Sequence, residues 1–248
     1  MGYIYGTDGS SSSACNGTPT FYIGEIGNYA GLNSGVGNCN GSSGPCPGDG
    51  GCCFNTTAAS DANQHYGTWG YYFIGGPAAD PAWDPSTYTE ADAYSWGEKQ
   101  GNATINYWLG TGFNNASYVG RTTIFADIED PTTDYGWLVT SDTYNGVSGE
   151  KLNHEVFDGW YNTVNGHSTA YGTLHGGVYS SPSAWSDAMG TKSLAGVPVW
   201  TYEVDVGGCG CPTSMSNAED FGSGNIVFYQ YSQSCGDLDM ADTTNLPS

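Results

Sequence analysis

Asp127 and Glu129 stand two residues apart at the end of the run Thr122-Thr123-Ile124-Phe125-Ala126-Asp127-Ile128-Glu129-Asp130. Side chains alternate along a strand, so Phe125, Asp127 and Glu129 share one face and Ile124, Ala126 and Ile128 the other. An apolar back and an acidic front describe a strand that packs on helices behind and opens on a site ahead. Neighbouring carboxyls tolerate burial only when they are hydrogen-bonded or when their pKa values split. One protonated and one charged carboxyl is what acid-catalysed cleavage of a glycosidic bond requires. A solvated strand end or a calcium site would use the same residue types.

The elements that must position these acids follow along the chain. Strand patterns run over 3–7, 20–25, 69–74, 122–130 (ending near Glu129), 173–179, 197–204 and 226–231, and none is evident between 211 and 224. Helical spacing covers 88–109, and again Leu152, Val156, Phe157, Trp160 and Val164 behind a Ser148 N-cap. Strands alternating with helices predict a parallel sheet. The Gly-, Ser- and Cys-rich stretch at about 33–63 reads as a loop insertion, too rich in turn formers for core. A chain of 248 residues suits one barrel-sized domain, 1–248.

Composition narrows the function. Net charge is −21, with Lys99, Arg121, Lys151 and Lys192 the only Lys or Arg. Nucleic acid and anionic membrane surfaces need clustered cations, so neither is an expected partner. No apolar run is long enough to span a bilayer. Cysteines fall at 15, 39, 46, 52, 53, 209, 211 and 235. An even, loop-borne set predicts disulfides and a secreted, extracellular protein; Cys209-Gly210-Cys211 lacks the paired knuckles of a structural zinc site, and neither metal nor cofactor is expected. His65, His154, His167 and His175 are scattered, and no nucleophile elbow or phosphate loop occurs.

Taken together, Asp127-Ile128-Glu129, Val199-Trp200-Thr201-Tyr202-Glu203, Tyr229-Gln230-Tyr231-Ser232 and Gly236-Asp237-Leu238-Asp239 resemble glycoside hydrolase family 25, the secreted lysozyme-like N-acetylmuramidases, or a related glycoside-hydrolase-like barrel. The resemblance implies an α/β fold: a TIM-like (β/α) barrel, irregular at times in its last units, with its site at the C-terminal ends of the strands. It places Asp8, Asp127, Glu129 and Asp239 at the four acidic positions, with Glu129 as proton donor. The cysteines would then staple loops on the C-terminal face. The expected activity is hydrolysis of amino-sugar polymers of the peptidoglycan type; the alternative is a non-catalytic carbohydrate-binding or extracellular structural protein on the same barrel. Tyr72, Trp200, Tyr202, Tyr229 and Tyr231 are candidate stacking platforms for sugar rings, or core. Glu25, in register to point into a barrel, is a fifth acid, a sugar ligand or a structural carboxylate.

Overall fold

The computed structural model describes residues 2–8, 17, 19–34, 56–111, 120–129, 135–203, 210–233 and 236–248. Eight strands close a barrel: β1 (Tyr3–Asp8), β2 (Phe21–Asn28), β3 (Gly67–Phe73), β4 (Gly120–Asp127), β5 (His175–Ser180), β6 (Pro198–Tyr202), β7 (Asn225–Ser232) and β8 (Leu238–Asp242). Their order around the barrel is β1-β8-β7-β6-β5-β4-β3-β2. β1 to β7 pair in parallel, while β8 runs antiparallel to both β7 and β1. The expected α/β barrel is therefore present, and its irregularity lies in this reversed last strand. Sequence patterning ended the sheet at 226–231, because Leu238–Asp242 is short and broken by two aspartates.

The helices cover the outside. They are α1 (Tyr29–Ser34), α2 (Thr56–Ala62), α3 (Glu90–Gly110), α4 (Gly149–Val164) and α5 (Pro182–Met189). Thr89 caps α3 in a reciprocal box with Asp92, and Ser148 caps α4 by accepting from the Lys151 N–H. α2 corrects the reading of 33–63 as loop throughout: Ala58, Ala59 and Ala62 are buried there in the outer core. Residues 35–55 of that insertion lie outside the described residues. Helices α3 and α4 approach closely because glycines face backbone: a Cβ at Gly97 would run into the Val156 carbonyl oxygen, and one at Gly159 into that of Tyr94. Trp160 crosses the seam and donates from Nε1 to Thr104 Oγ1 at 2.9 Å.

β4 shows how alternation divides the core. Ile124, Ala126 and Ile128 join the cluster between barrel and helices, whereas Phe125 joins Phe21, Trp69, Trp200 and Phe228 inside the barrel. Those inner rings touch edge to face or tilted, with Trp69 and Phe228 centroids 5.0 Å apart and Phe21 and Phe228 5.1 Å apart. At the N-terminal end, Arg121 donates to the Tyr66 carbonyl and lies 5.2 Å from the Trp69 ring centroid. There too the Thr123 N–H donates to the Ser248 carbonyl oxygen at 2.7 Å, and Leu246 packs on the inner cluster. An aromatic plug thus fills the lower barrel and leaves the other end to polar groups.

Candidate active site

Above the plug, or at its top in the case of Trp200, each strand contributes one inward side chain: Asp8, Glu25, Tyr71, Asp127, Tyr179, Trp200, Gln230 and Asp239, from β1 to β8 in turn. Register ties them together, with Glu25 opposite Tyr71, Asp127 opposite Tyr179 and Gln230 opposite Asp239. The reversal of β8 brings its start, and so Asp239, to the end where the parallel strands finish. Active sites of such barrels form at that end.

The acids are held by a short polar network. Tyr179 donates its hydroxyl to Gln230 Oε1 at 2.6 Å, and Gln230 Nε2 donates to Asp8 Oδ2 at 2.9 Å. Trp200 Nε1 donates to Asp239 Oδ1 at 2.9 Å. Asp8 Oδ1, Asp127 Oδ1 and Asp239 Oδ2 are buried without a partner among the described residues. Glu129 lies just beyond the end of β4, which finishes at Asp127 rather than running on to Glu129 as its pattern suggested. It is half-buried and hydrogen-bonded by Tyr135. A pit of about 130 Å³ is lined by Asp8, Tyr71, Asp127, Glu129, Tyr179 and Trp200 among others. A second cavity of about 230 Å³ adjoins it, sharing Glu129 and Tyr179 and adding Tyr202 and Ser180.

Burial over the aromatic plug pushes Asp8, Asp127 and Asp239 well above the ordinary carboxylate range. For Asp127 the next causes are the charges of Glu129, Glu25 and Asp8; for Asp8 it is Asp237, and for Asp239 it is Asp8. Burial raises Glu129 too, while the Tyr135 hydrogen bond lowers it. A proton held by the Asp127–Glu129 pair therefore belongs to both carboxyls, as coupled groups titrate together. Sequence reasoning kept Asp127 charged and Glu129 protonated from their mutual repulsion and the longer reach of Glu129, whereas burial raises both carboxyls.

Among the residues singled out from sequence, Asp8, Asp127, Glu129 and Asp239 converge at this one end of the barrel. Trp200 and Tyr202 line its cavities, Trp200 almost wholly buried as floor. Glu25 points inward beside them and accepts from Asn28 Nδ2 at 3.3 Å, without lining the pit. Three candidates are corrected. Tyr72 is fully buried on the helix side, stacked on Tyr107; its neighbour Tyr71 is the one that faces in. Tyr229 and Tyr231 flank the inward Gln230, so alternation turns both outward onto Leu238 and Met240. Sequence reasoning missed Tyr71, Tyr179, Gln230 and Tyr135. Period-two counting from Trp69 to Tyr71 and from Phe228 to Gln230 was the available signal, and aromatics on both faces of β3 and β7 obscured it. No group of three His, Cys, Asp or Glu side chains among the described residues is arranged to hold a metal. Cys211 is disulfide-bonded; the other seven cysteines and Asp130 lie outside the described residues.

No family model matches this sequence, and no curated protein does. Three solved structures are similar. A family GH25 lysozyme from Aspergillus fumigatus is 15% identical with a TM-score of 0.47, over 97% of this chain and 94% of that one. A muramidase from Acremonium alcalophilum is 14% identical with a TM-score of 0.47, over 97% and 95%. A bacterial lysozyme from Streptomyces coelicolor is 15% identical with a TM-score of 0.43, over 96% and 91%.

Proposed function

We propose that this protein is a secreted glycoside hydrolase that cleaves amino-sugar polymers of the peptidoglycan type by acid catalysis from Glu129. One observation carries the reading: Glu129 is open to a cavity while Asp127, two residues back on the same face, is 4% exposed over an aromatic floor. Glu129, held up by burial, keeps its proton beyond the ordinary glutamic range and can give it to the glycosidic oxygen as the C1–O bond breaks. Asp127 offers its unpartnered oxygen to the positive charge that grows on C1 and the ring oxygen, which draws its own proton affinity back down. Water then bonds to C1 and returns a proton to Glu129. The disulfide at Cys211 supports export to an oxidising compartment.

The test is Glu129→Gln, assayed on bacterial cell walls and on an aryl glycoside whose leaving group needs no proton. A general acid contributes about 10²–10⁴-fold, so wall hydrolysis should fall by that factor while the aryl glycoside suffers less. Wild-type hydrolysis should peak on the acid side of neutral, because deprotonation of Glu129 removes the donor. Near wild-type wall hydrolysis by the variant would refute the assignment. Absence of hydrolysis of any glycan by the parent would instead leave a carbohydrate-binding protein.

A further inference from the structure

The mouth of the barrel lacks a positive charge that its own chain could supply. Asp8 and Asp127 are 6% and 4% exposed, both line the pit, and each carries an oxygen with no partner. Buried polar atoms are nearly always paired, so an orphan at a cavity wall marks a place for a ligand atom. Glu129 and Asp237 line the same pit, and Glu25 and Asp239 stand beside it.

Every cation of the chain is committed elsewhere. Arg121 sits at the far end of the barrel on the Tyr66 carbonyl. Lys151 pairs with Glu90 and Glu155, and Lys192 with Asp158. Lys99 borders an outer groove beside α3 with Trp96 and Tyr107. His154 contacts the Met189 carbonyl, and His65, His167 and His175 are exposed before β3, before β5 and at the first residue of β5, all at the end remote from the mouth. The segments outside the described residues contain no Lys, Arg or His in their sequence.

The size and walls of the pit say which cation fits. At about 130 Å³ it has room for one ammonium group and a few waters, each taking about 30 Å³. Tyr71, Tyr179 and Trp200 surround it, with Tyr179 and Trp200 centroids 4.3 Å apart and Tyr71 and Trp200 5.7 Å apart. Ring faces attract cations. An ammonium offers three donors to the orphaned oxygens of Asp8 and Asp127 and its charge draws both carboxyls back to their ionised form, whereas an acetamido group offers one N–H and no charge.

We infer that this pit takes the free ammonium of a de-N-acetylated hexosamine, so that the favoured ligand is a glucosamine-bearing glycan; that such a chain is also cleaved rests on the hydrolase reading above. Chitosan-type polymers and de-N-acetylated peptidoglycan share this chemistry. Calorimetric titration of the whole protein at mildly acidic pH compares glucosamine hexasaccharide with N-acetylglucosamine hexasaccharide. The former should bind about tenfold tighter or more, equivalent to about 1.4 kcal/mol. That preference should collapse in Asp127→Asn and in Asp8→Asn, each checked for its fold by circular dichroism. It should survive in Glu98→Gln, which removes an exposed acid on α3 and controls for the general field of the protein. Equal or weaker binding of the glucosamine oligomer overturns the inference. So does a preference that persists in both pit variants, and so does one lost in Glu98→Gln. Hydrolysis of native and de-N-acetylated peptidoglycan and of chitosan, read as new reducing ends, separates the sources. Cleavage without preference for free amines overturns the ammonium pit and leaves the hydrolase; selective binding without cleavage overturns the hydrolase and leaves the pit.

Discussion

Tyr179→Phe removes one hydroxyl and tests the network that holds the acids. That hydroxyl donates at 2.6 Å to Gln230 Oε1, and the same amide donates at 2.9 Å to Asp8 Oδ2. Burial and the surrounding carboxylates raise the Tyr179 phenol well above its ordinary value, so it is always a donor and fixes which end of the amide faces Asp8. Gln230 is 2% exposed, and an orphaned buried acceptor costs about 1–3 kcal/mol. A cost near 2 kcal/mol lowers Tm by about 4–8 °C for a chain of this size. Scanning calorimetry at acid pH measures it. In a Gln230→Leu background the hydroxyl has no acceptor, and Tyr179→Phe should then be neutral or stabilising. The coupling between the two positions should therefore reach about 1–3 kcal/mol. Equal costs in both backgrounds, or a cost under about 0.5 kcal/mol in the parent, would refute the account.

Stability should fall as pH rises from 5 to 8. Asp8, Asp127 and Asp239, raised by burial, keep protons in the folded state that the unfolded chain releases near pH 4, so each proton so held costs about 1.4 kcal/mol per pH unit until the folded group ionises. The lowered acids Asp84, Asp92, Glu150 and Asp242 are already ionised throughout this window and do not offset the trend. Urea unfolding at the two pH values checks it, and a rise toward pH 8 would contradict it. Gly97→Ala should destabilise by about 1–3 kcal/mol through the clash with the Val156 carbonyl at the α3–α4 seam, with the barrel site unaltered; unchanged urea midpoints would show that the seam yields. Thiol titration of the denatured, unreduced protein should find no free cysteine, since the even set of eight was read as disulfides and Cys211 is in one; two or more free thiols per chain would oppose this.

Sequence alone determined relations within a strand. Asp127 and Glu129 share a face with Phe125, and Trp200 with Tyr202, because side chains alternate with period two whatever surrounds them. It also determined that basic residues are few, four in a chain of charge −21, while only the structure placed Arg121, on the strand of Asp127, at the far end of the barrel. α5 was not read from the sequence, although Ser181 as N-cap, Pro182 in its first turn and Gly190 at its C-cap mark it. Which of two alternating faces points into the barrel was decided by closure. Tyr71 and Tyr72 are both good strand residues, and only the pairing of β3 between β2 and β4, which put Trp69 inside, turned Tyr71 inward with it. Asp239 reached the mouth because β8 reverses direction, and Gln230 displaced Tyr229 and Tyr231 because β7 presents that face to the inside. Burial decided the proton affinities, for the desolvation that raises Asp8, Asp127 and Asp239 comes from an aromatic plug gathered from five different strands, and no local pattern carries that distance.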